Sequence, residues 1–579
     1  MPMKLIDALK IVDEGANRDL RAVRVGLICG FAPTHFQTFL GAHFCRAFKG
    51  QRAQIESGLY GDLWGNLARL ETAKTDAAIV AAEWADFDGR LGLRGLGSWA
   101  PTALPDILES VRSRTQKFLA AVQSISTEIP VAVSLPTLPV PPVSFVPTWQ
   151  GNACTLELRS LMASLACELV RLKNAKLVDT QRLDCLSPLR ERFDPKTEML
   201  AGLPYRLPHA SILAELLVRL IAPAPAKKGV ITDLDDTLWS GILGEVGLQG
   251  INWALEHKSH MHGAYQRFLH ALAETGVLVG VASKNDPNLV REALSRDDLI
   301  LPGRSLFPVE ASWGPKSAAV ARILRTWNIA ADAVIFIDDS PMEIAEVQAH
   351  FPEIEAILFP KNDYQALNDL FYRLRDLCGK TAVSKEDTLR AQSIRRAQDA
   401  VPINSGQSVD EFLEQAEAHF EHDFSKDQSD DRAFELLNKT NQFNLNGIRL
   451  TEPSWNKFLK EPDTFLLATT YRDKYGPLGK IAVLAGRIKD NVLTVENWVM
   501  SCRAFSRRVE HHCLHAVMKR FNPERIVLHF EPTPRNGPVG DFLSDMLGER
   551  PAAQCEITQK KALEFLEKRM PATAELTHG

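Results

Sequence analysis

The sequence predicts an α/β protein built from several domains. Three observations carry this. The chain has 579 residues, more than one hydrophobic core accommodates. Short aliphatic runs of strand length alternate with helical patterns over most of it. Several runs stop abruptly at carboxylates or small polar residues, as strands of an open parallel sheet do where they present ligand-binding groups.

In residues 1–222, a short amphipathic helix over 3–13 precedes Val23–Cys29, a buried-strand pattern closed by Gly30. A helix over 34–48 carries Phe36, Phe39, Leu40, Phe44 and Phe48 at helical spacing. Strands are expected at 76–82, 130–135 and 175–179, and helices at 103–124, 154–172 and 209–221. The proline-rich stretch 136–147 excludes helix. This order resembles the SGNH-type esterase fold. That resemblance implies a nucleophilic Ser after the first strand, but the turn here reads Cys29-Gly30-Phe31-Ala32-Pro33-Thr34-His35. His209 falls near the family's histidine, and one His without its Ser is no triad. The expectation is a non-catalytic domain that docks a partner or shapes a site.

Ala222–Lys228 reads as a linker. Residues 227–380 hold the chemistry. Val230 and Ile231 end a buried strand that breaks into Asp233, Asp235 and Asp236, followed by Thr237. Crowded carboxylates repel unless a cation lies between them, and hard oxygens suit Mg2+. A helix over 262–275 leads to a strand ending in Ser283-Lys284-Asn285. A helix over 287–294 follows; Trp313-Gly-Pro-Lys-Ser317 opens another, and a strand over 333–337 ends in Asp338-Asp339. Phosphoryl transfer to a carboxylate needs a nucleophile (Asp233), an acid/base for the leaving oxygen (Asp235), cationic charge (Mg2+ and Lys316) and neutral donors (Ser283 and its neighbours). Asp338 completes a metal shell with Asp233 and Asp235, and Asp339 stands in it or just behind. Thr237, Lys284 and Asn285 are further candidates for binding phosphate. Singly, each residue is equally a cap or a solvated charge; together at strand ends they form a set.

That set resembles the four motifs of the haloacid dehalogenase (HAD) superfamily of aspartyl phosphotransferases. Asp233-Leu-Asp-Asp-Thr-Leu-Trp-Ser-Gly-Ile-Leu-Gly-Glu-Val-Gly247, Ser283-Lys-Asn-Asp286, Trp313-Gly-Pro-Lys-Ser317 and Asp338-Asp-Ser-Pro-Met-Glu343 are similar to the FkbH-like family, HAD subfamily IIIC. The resemblance implies Mg2+ and a small phosphorylated acyl or glyceryl donor such as 1,3-bisphosphoglycerate. It also implies loading of that unit onto an acyl carrier protein in polyketide or related secondary-metabolite biosynthesis. Two positions depart from the pattern: Asp236 stands where many relatives have Asn, and Ala282 where many have Cys. The alternative is a plain HAD phosphatase on a small phosphorylated metabolite. No large cap is visible between Thr237 and Lys316, so the site is expected to stay open to a large substrate.

A connecting helix is expected at 384–398, and within the domain at 405–579 helices are expected at 408–416 and 432–440. Strands follow at 464–470, 478–487 and 492–500, then a helix reaching about Phe521 and a strand over 525–530. This α+β order resembles the GNAT acyltransferase fold. Family-like segments are Asn438-Lys-Thr-Asn-Gln-Phe-Asn444, Ser501-Cys-Arg503 and Pro532-Thr-Pro-Arg-Asn-Gly-Pro-Val539. The turn into the main helix lacks the glycines of a pyrophosphate cradle. Asn441, Arg503, Arg507 and Arg508 are therefore candidates for holding a carrier or pantetheine arm, and Cys502 is a candidate thioester carrier.

Composition bounds the rest. The net charge of −5 provides no basic field for nucleic acid. No signal-peptide pattern and no apolar run of membrane-spanning length occur. Nine scattered cysteines without Cys-x-x-Cys fit a reducing cytoplasm.

Overall fold

The computed structural model describes residues 2–16, 21–48, 51–380, 417–427, 430–440, 442–474, 476–501, 504–505, 507–533, 536–551 and 553–569. The helices expected at 384–398 and 408–416 lie outside these. The chain divides into two compact units: Met1–Ala224 with Thr451–Ser454, and Pro225–Leu450 with Trp455–Gly579. Among the described residues no helix is long and apolar enough to cross a membrane.

The first unit holds a five-stranded parallel sheet. Its strands are β1 (Arg21–Cys29), β2 (Gln51–Ser57), β3 (Ala77–Ala81), β4 (Val131–Ser134) and β5 (Ala175–Leu177), in the order β2-β1-β3-β4-β5. Strand β2 does not announce itself in the sequence, because Gln51-Arg-Ala-Gln-Ile-Glu-Ser57 is polar. It is an edge strand, and only Ala53 and Ile55 pack toward the core.

The second unit holds two sheets. In the first, β6 (Gly229–Thr232), β7 (Leu278–Ser283), β8 (Leu306–Ala311), β9 (Val334–Asp338) and β10 (Glu355–Leu358) run parallel in the order β10-β9-β6-β7-β8. Strands β6, β7 and β9 are buried along their whole length, which is why they read as unbroken aliphatic runs. The strand ending in Asp233 is central, with β9 on one side and β7 on the other. Glycines bring a helix down onto this sheet. A Cβ on Gly229 would lie 2.6 Å from the Trp327 ring, and one on Gly280 2.8 Å from it. The helix Lys316–Trp327 thereby sits close over the strands, anchored by the Trp327 Nε1–H that donates to the Phe307 carbonyl at 2.8 Å.

The other sheet is mixed. Strands β11 (His419–Asp423), β13 (Thr464–Asp473), β14 (Gly476–Lys489) and β15 (Val492–Met500) are antiparallel neighbours. Then β16 (Arg525–Leu528) runs parallel to β15, and β17 (Cys555–Thr558) antiparallel to β16. Only Val492–Val495 of β15 pairs with β16. Beyond that, β12 (Phe443–Asn444) pairs with Val499 and Met500, and the Asn446 amide donates to the Glu496 and His529 carbonyls at 2.7 and 3.3 Å. The backbone groups left by the diverging strands are thus satisfied by the chain itself.

Candidate active site at the ends of a parallel sheet

Strand β6 ends in a tight turn. The amides of Thr237, Leu238 and Trp239 all donate to the Leu234 carbonyl, at 3.2, 2.8 and 3.2 Å. Asp236 takes a left-handed backbone, φ 50°, a conformation Asp and Asn tolerate better than other side chains. Its Oδ1 accepts the Gly241 N–H at 2.8 Å. The turn leaves Asp233 at the base and sends Asp235 outward.

Asp233 is buried. Its Oδ2 lies 2.7 Å from Lys316 Nζ, while its Oδ1 has no hydrogen-bond partner among the described residues. Lys316, 3% exposed, also pairs with fully buried Asp338 on β9. Burial raises Asp233 to about 7, against the pull of Lys316, and burial likewise raises Asp338. Lys316 is held above its usual value: burial opposes this, but Asp233 and Asp338 outweigh it. The Ser340 N–H donates to Asp338 Oδ1 at 2.9 Å. Oxygens of Asp233, Asp338 and Asp339 lie within 4.8 Å of one another. Three carboxylates this close, one of them with an unpartnered oxygen, suit a divalent cation.

Asp235 is not drawn into that cluster. Its Oδ1 accepts Trp239 Nε1–H at 2.9 Å and the Leu243 N–H at 3.1 Å, and its Oδ2 accepts the Asn285 amide at 2.9 Å. The expected metal set of Asp233, Asp235, Asp338 and Asp339 therefore comes together as three carboxylates, because the turn commits the fourth to donors of its own. Asn285 also donates to Ser283 Oγ at 3.1 Å, so one amide links β7 to the acid/base candidate. Thr237 Oγ–H donates to Asp339 Oδ1 at 3.2 Å. The Lys284 ammonium pairs with Glu343 at 2.8 Å.

Some residues around the site carry no sequence signal of their own. Lys361 pairs with Asp236 at 3.0 Å and Asp339 at 2.5 Å. It follows β10, a strand too short and mixed to be recognised. Had Glu355–Leu358 been read as a strand, its C-terminal end would have pointed to Lys361 by the same rule that marks Asp233. His262 donates through Nδ1–H to the Thr237 carbonyl at 2.9 Å and stacks on Phe359 at 5.5 Å. Its signal lies only in helical position.

Ala282 is fully buried, in an apolar cluster with Ile231, Ala319 and Val320. Adjacent strand residues face opposite ways, so position 282 faces the core while Ser283 faces the site.

The other expected sites differ. In the first unit, both ring nitrogens of His209 are taken, Nε2 by Thr137 Oγ and Nδ1 by Ser187 Oγ, each at 3.0 Å. His209 is fully buried, and burial lowers its pKa to about 3. Glu83 joins the same network, accepting from Thr137 and the Tyr205 hydroxyl at 2.6 and 2.7 Å. Cys29 is buried, its thiol pushed up to about 12, and donates to the Phe31 carbonyl at 3.4 Å. These are satisfied core groups rather than a nucleophile and its base. In the second unit, Asn441, Cys502 and Arg503 lie outside the described residues. Arg507 stands 3.6 Å from Asp473 and 5.6 Å over the Tyr471 ring. Arg508 donates to the Arg569 carbonyl.

No protein-family model matches this chain, and no curated protein matches it. A solved structure does. The N-terminal part of the protein BF1531 from Bacteroides fragilis, which contains a phosphatase domain and was complexed with Mg, is 17% identical over 64% of this chain and 99% of its own, with a TM-score of 0.53. An uncharacterized protein from Corynebacterium glutamicum ATCC 13032 Kitasato matches over 27% of this chain and 99% of its own, at 16% identity and a TM-score of 0.19. The first likeness shows the fold alone: a multidomain α/β chain, in which the ends of a parallel sheet carry Asp233, Ser283 and Asp338.

Proposed function

We propose that this chain is a Mg2+-dependent phosphohydrolase that works through an aspartyl-phosphate on Asp233. One observation carries the reading. Asp233 sits at the end of the central strand with one oxygen held by Lys316 and the other buried without a partner, beside Asp338 and Asp339. A carboxylate held that way is aimed. Asp233, Asp338 and Asp339 would hold the Mg2+, which supplies positive charge for the phosphoryl oxygens. Lys316 adds a second positive charge, and Ser283 supplies a neutral donor. Asp233 takes the phosphoryl group as the leaving oxygen departs with a proton from Asp235. Asp235 then removes a proton from the water that frees phosphate. The domains read as 1–222, 227–380 and 405–579, the outer two similar to SGNH and GNAT folds and acting in support.

The finer reading adds loading of an acyl or glyceryl unit from an acyl phosphate onto a carrier-protein thiol, supported by the segments around Asp233, Ser283, Trp313 and Asp338. On this route the thiol sulfur bonds the acyl carbon, the acyl carbon–oxygen bond breaks and phosphate leaves carrying the thiol proton, so no aspartyl-phosphate forms. The second reading, phosphatase alone, is favoured by Ala282, since the position where relatives keep a cysteine is a fully buried alanine in an apolar cluster.

Phosphate release from acetyl phosphate by wild type and Asp233→Asn, with and without Mg2+, tests the hydrolase. Release should fall by roughly a thousandfold or more in the variant, and a phosphorylated protein should be seen by mass only in wild type. Equal release by both would end the reading. Incubation with a glyceryl phosphate donor and a carrier protein, followed by weighing the carrier, then separates loading from hydrolysis.

A further inference from the structure

Asp236 and Lys361 stand 125 positions apart in sequence and meet beside the metal-binding carboxylates. The turn at residue 236 needs a side chain that tolerates φ 50° and accepts the Gly241 N–H. Asparagine would do both without charge. The carboxylate at 236 therefore adds a negative charge the turn does not need. Lys361 meets it. Strand β10 pairs with β9 in register, Leu358 opposite Asp338, and the Phe359 N–H donates to the Asp338 carbonyl at 2.7 Å. That carries residue 361 past the end of β9. There its ammonium lies 3.0 Å from Asp236 and 2.5 Å from Asp339, and Thr237 holds the other oxygen of Asp339.

We propose that Lys361 is a positioning residue that, with Asp236, sets the divalent-metal affinity of the Asp233–Asp338–Asp339 cluster. This rests on the reading that the cluster takes Mg2+. Two effects of Lys361 compete. As a tether it orients Asp339, which favours metal. As a positive charge in contact with a cluster carboxylate it opposes a divalent cation. The charge effect dominates, because Thr237 continues to hold Asp339 when the ammonium is gone. Asp236 offsets that opposition, so the two residues form one charge-balanced unit.

Isothermal titration of Mg2+ into the metal-stripped full chain tests this, with binding rather than activity as the readout. Lys361→Met should tighten Mg2+ binding and Asp236→Asn should weaken it, each by about tenfold given the half-exposed pair. The double variant should return to within about threefold of wild type, since the two changes cancel. Lys361→Arg, which keeps the charge, should bind as wild type does. Melting of each variant in chelator confirms that it is folded. Mg2+ binding by Lys361→Met that is unchanged or weaker, or single effects that fail to cancel in the double variant, would overturn the proposal. Wild type that binds no Mg2+ would instead overturn the metal reading, and this inference with it.

Discussion

Lys316 Nζ lies 2.7 Å from Asp233 Oδ2 and bridges to Asp338 on the neighbouring strand. The three groups come from a helix start and two strand ends, and all are buried. One ammonium thus serves two carboxylates in a region with little water to screen them. Such a bridge holds geometry more than it adds stability, because desolvating the charges costs about what their attraction returns. Its effect is to present one Asp233 oxygen with its direction set.

Removing the ammonium leaves two buried carboxylates facing each other. Lys316→Met should lower unfolding stability by roughly 3 kcal/mol at pH 8 in chelator, read from urea denaturation. Saturating Mg2+ should recover part of that loss, since a divalent cation supplies the missing charge. Phosphate release should fall in the same variant even when Mg2+ saturates. A variant as stable as wild type in chelator would show that the bridge is not a coupled unit.

Asn285 reaches both Ser283 Oγ and Asp235 Oδ2. In Asn285→Ala the proposed acid/base carboxylate, Asp235, keeps Trp239 and Leu243 on one oxygen and loses its restraint on the other. Turnover should drop about ten- to a hundredfold, the usual cost of a misaimed group, with little change in the melting temperature. Steady-state kinetics should show the loss mainly in kcat. A loss confined to KM would mean that Asn285 binds substrate instead.

His209 links acidity to the stability of the first unit. Its folded pKa is lowered to about 3 by burial, against about 6.5 in an unfolded chain. Below about pH 6.5 the unfolded chain takes up a proton that the folded form refuses. Stability is therefore full above that pH and declines as pH falls toward 3, by up to about 1.4 kcal/mol per unit. Urea midpoints of wild type and His209→Gln between pH 7 and pH 4 should converge as pH falls. Parallel curves would show that another group governs acid unfolding.

The strands that place the chemistry were legible because they are buried on both faces. Val230-Ile231, Leu278–Ala282 and Val334–Ile337 are continuous apolar runs that end at Asp233, Ser283 and Asp338, and the structure closes them within a residue or two of those ends. Strands β2, β8 and β10 were not legible. All three are edge strands of mixed polarity, so their pairing depends on neighbours that the local sequence does not contain.

The sequence alone determined which side chains stand at the strand ends, because a buried strand and the turn that ends it are local matters of apolar patterning and backbone preference. It thereby identified Asp233, Ser283, Lys316 and Asp338 as one set. The tertiary structure decided which partners each carboxylate has. Asp235 is claimed by Trp239 and Asn285 and Asp339 by Thr237 and Lys361, while Asp233 keeps an oxygen without a partner among the described residues. Those partners come from as far as 102 positions away, and contact over that range follows from how helices and strands pack rather than from any pattern along the chain.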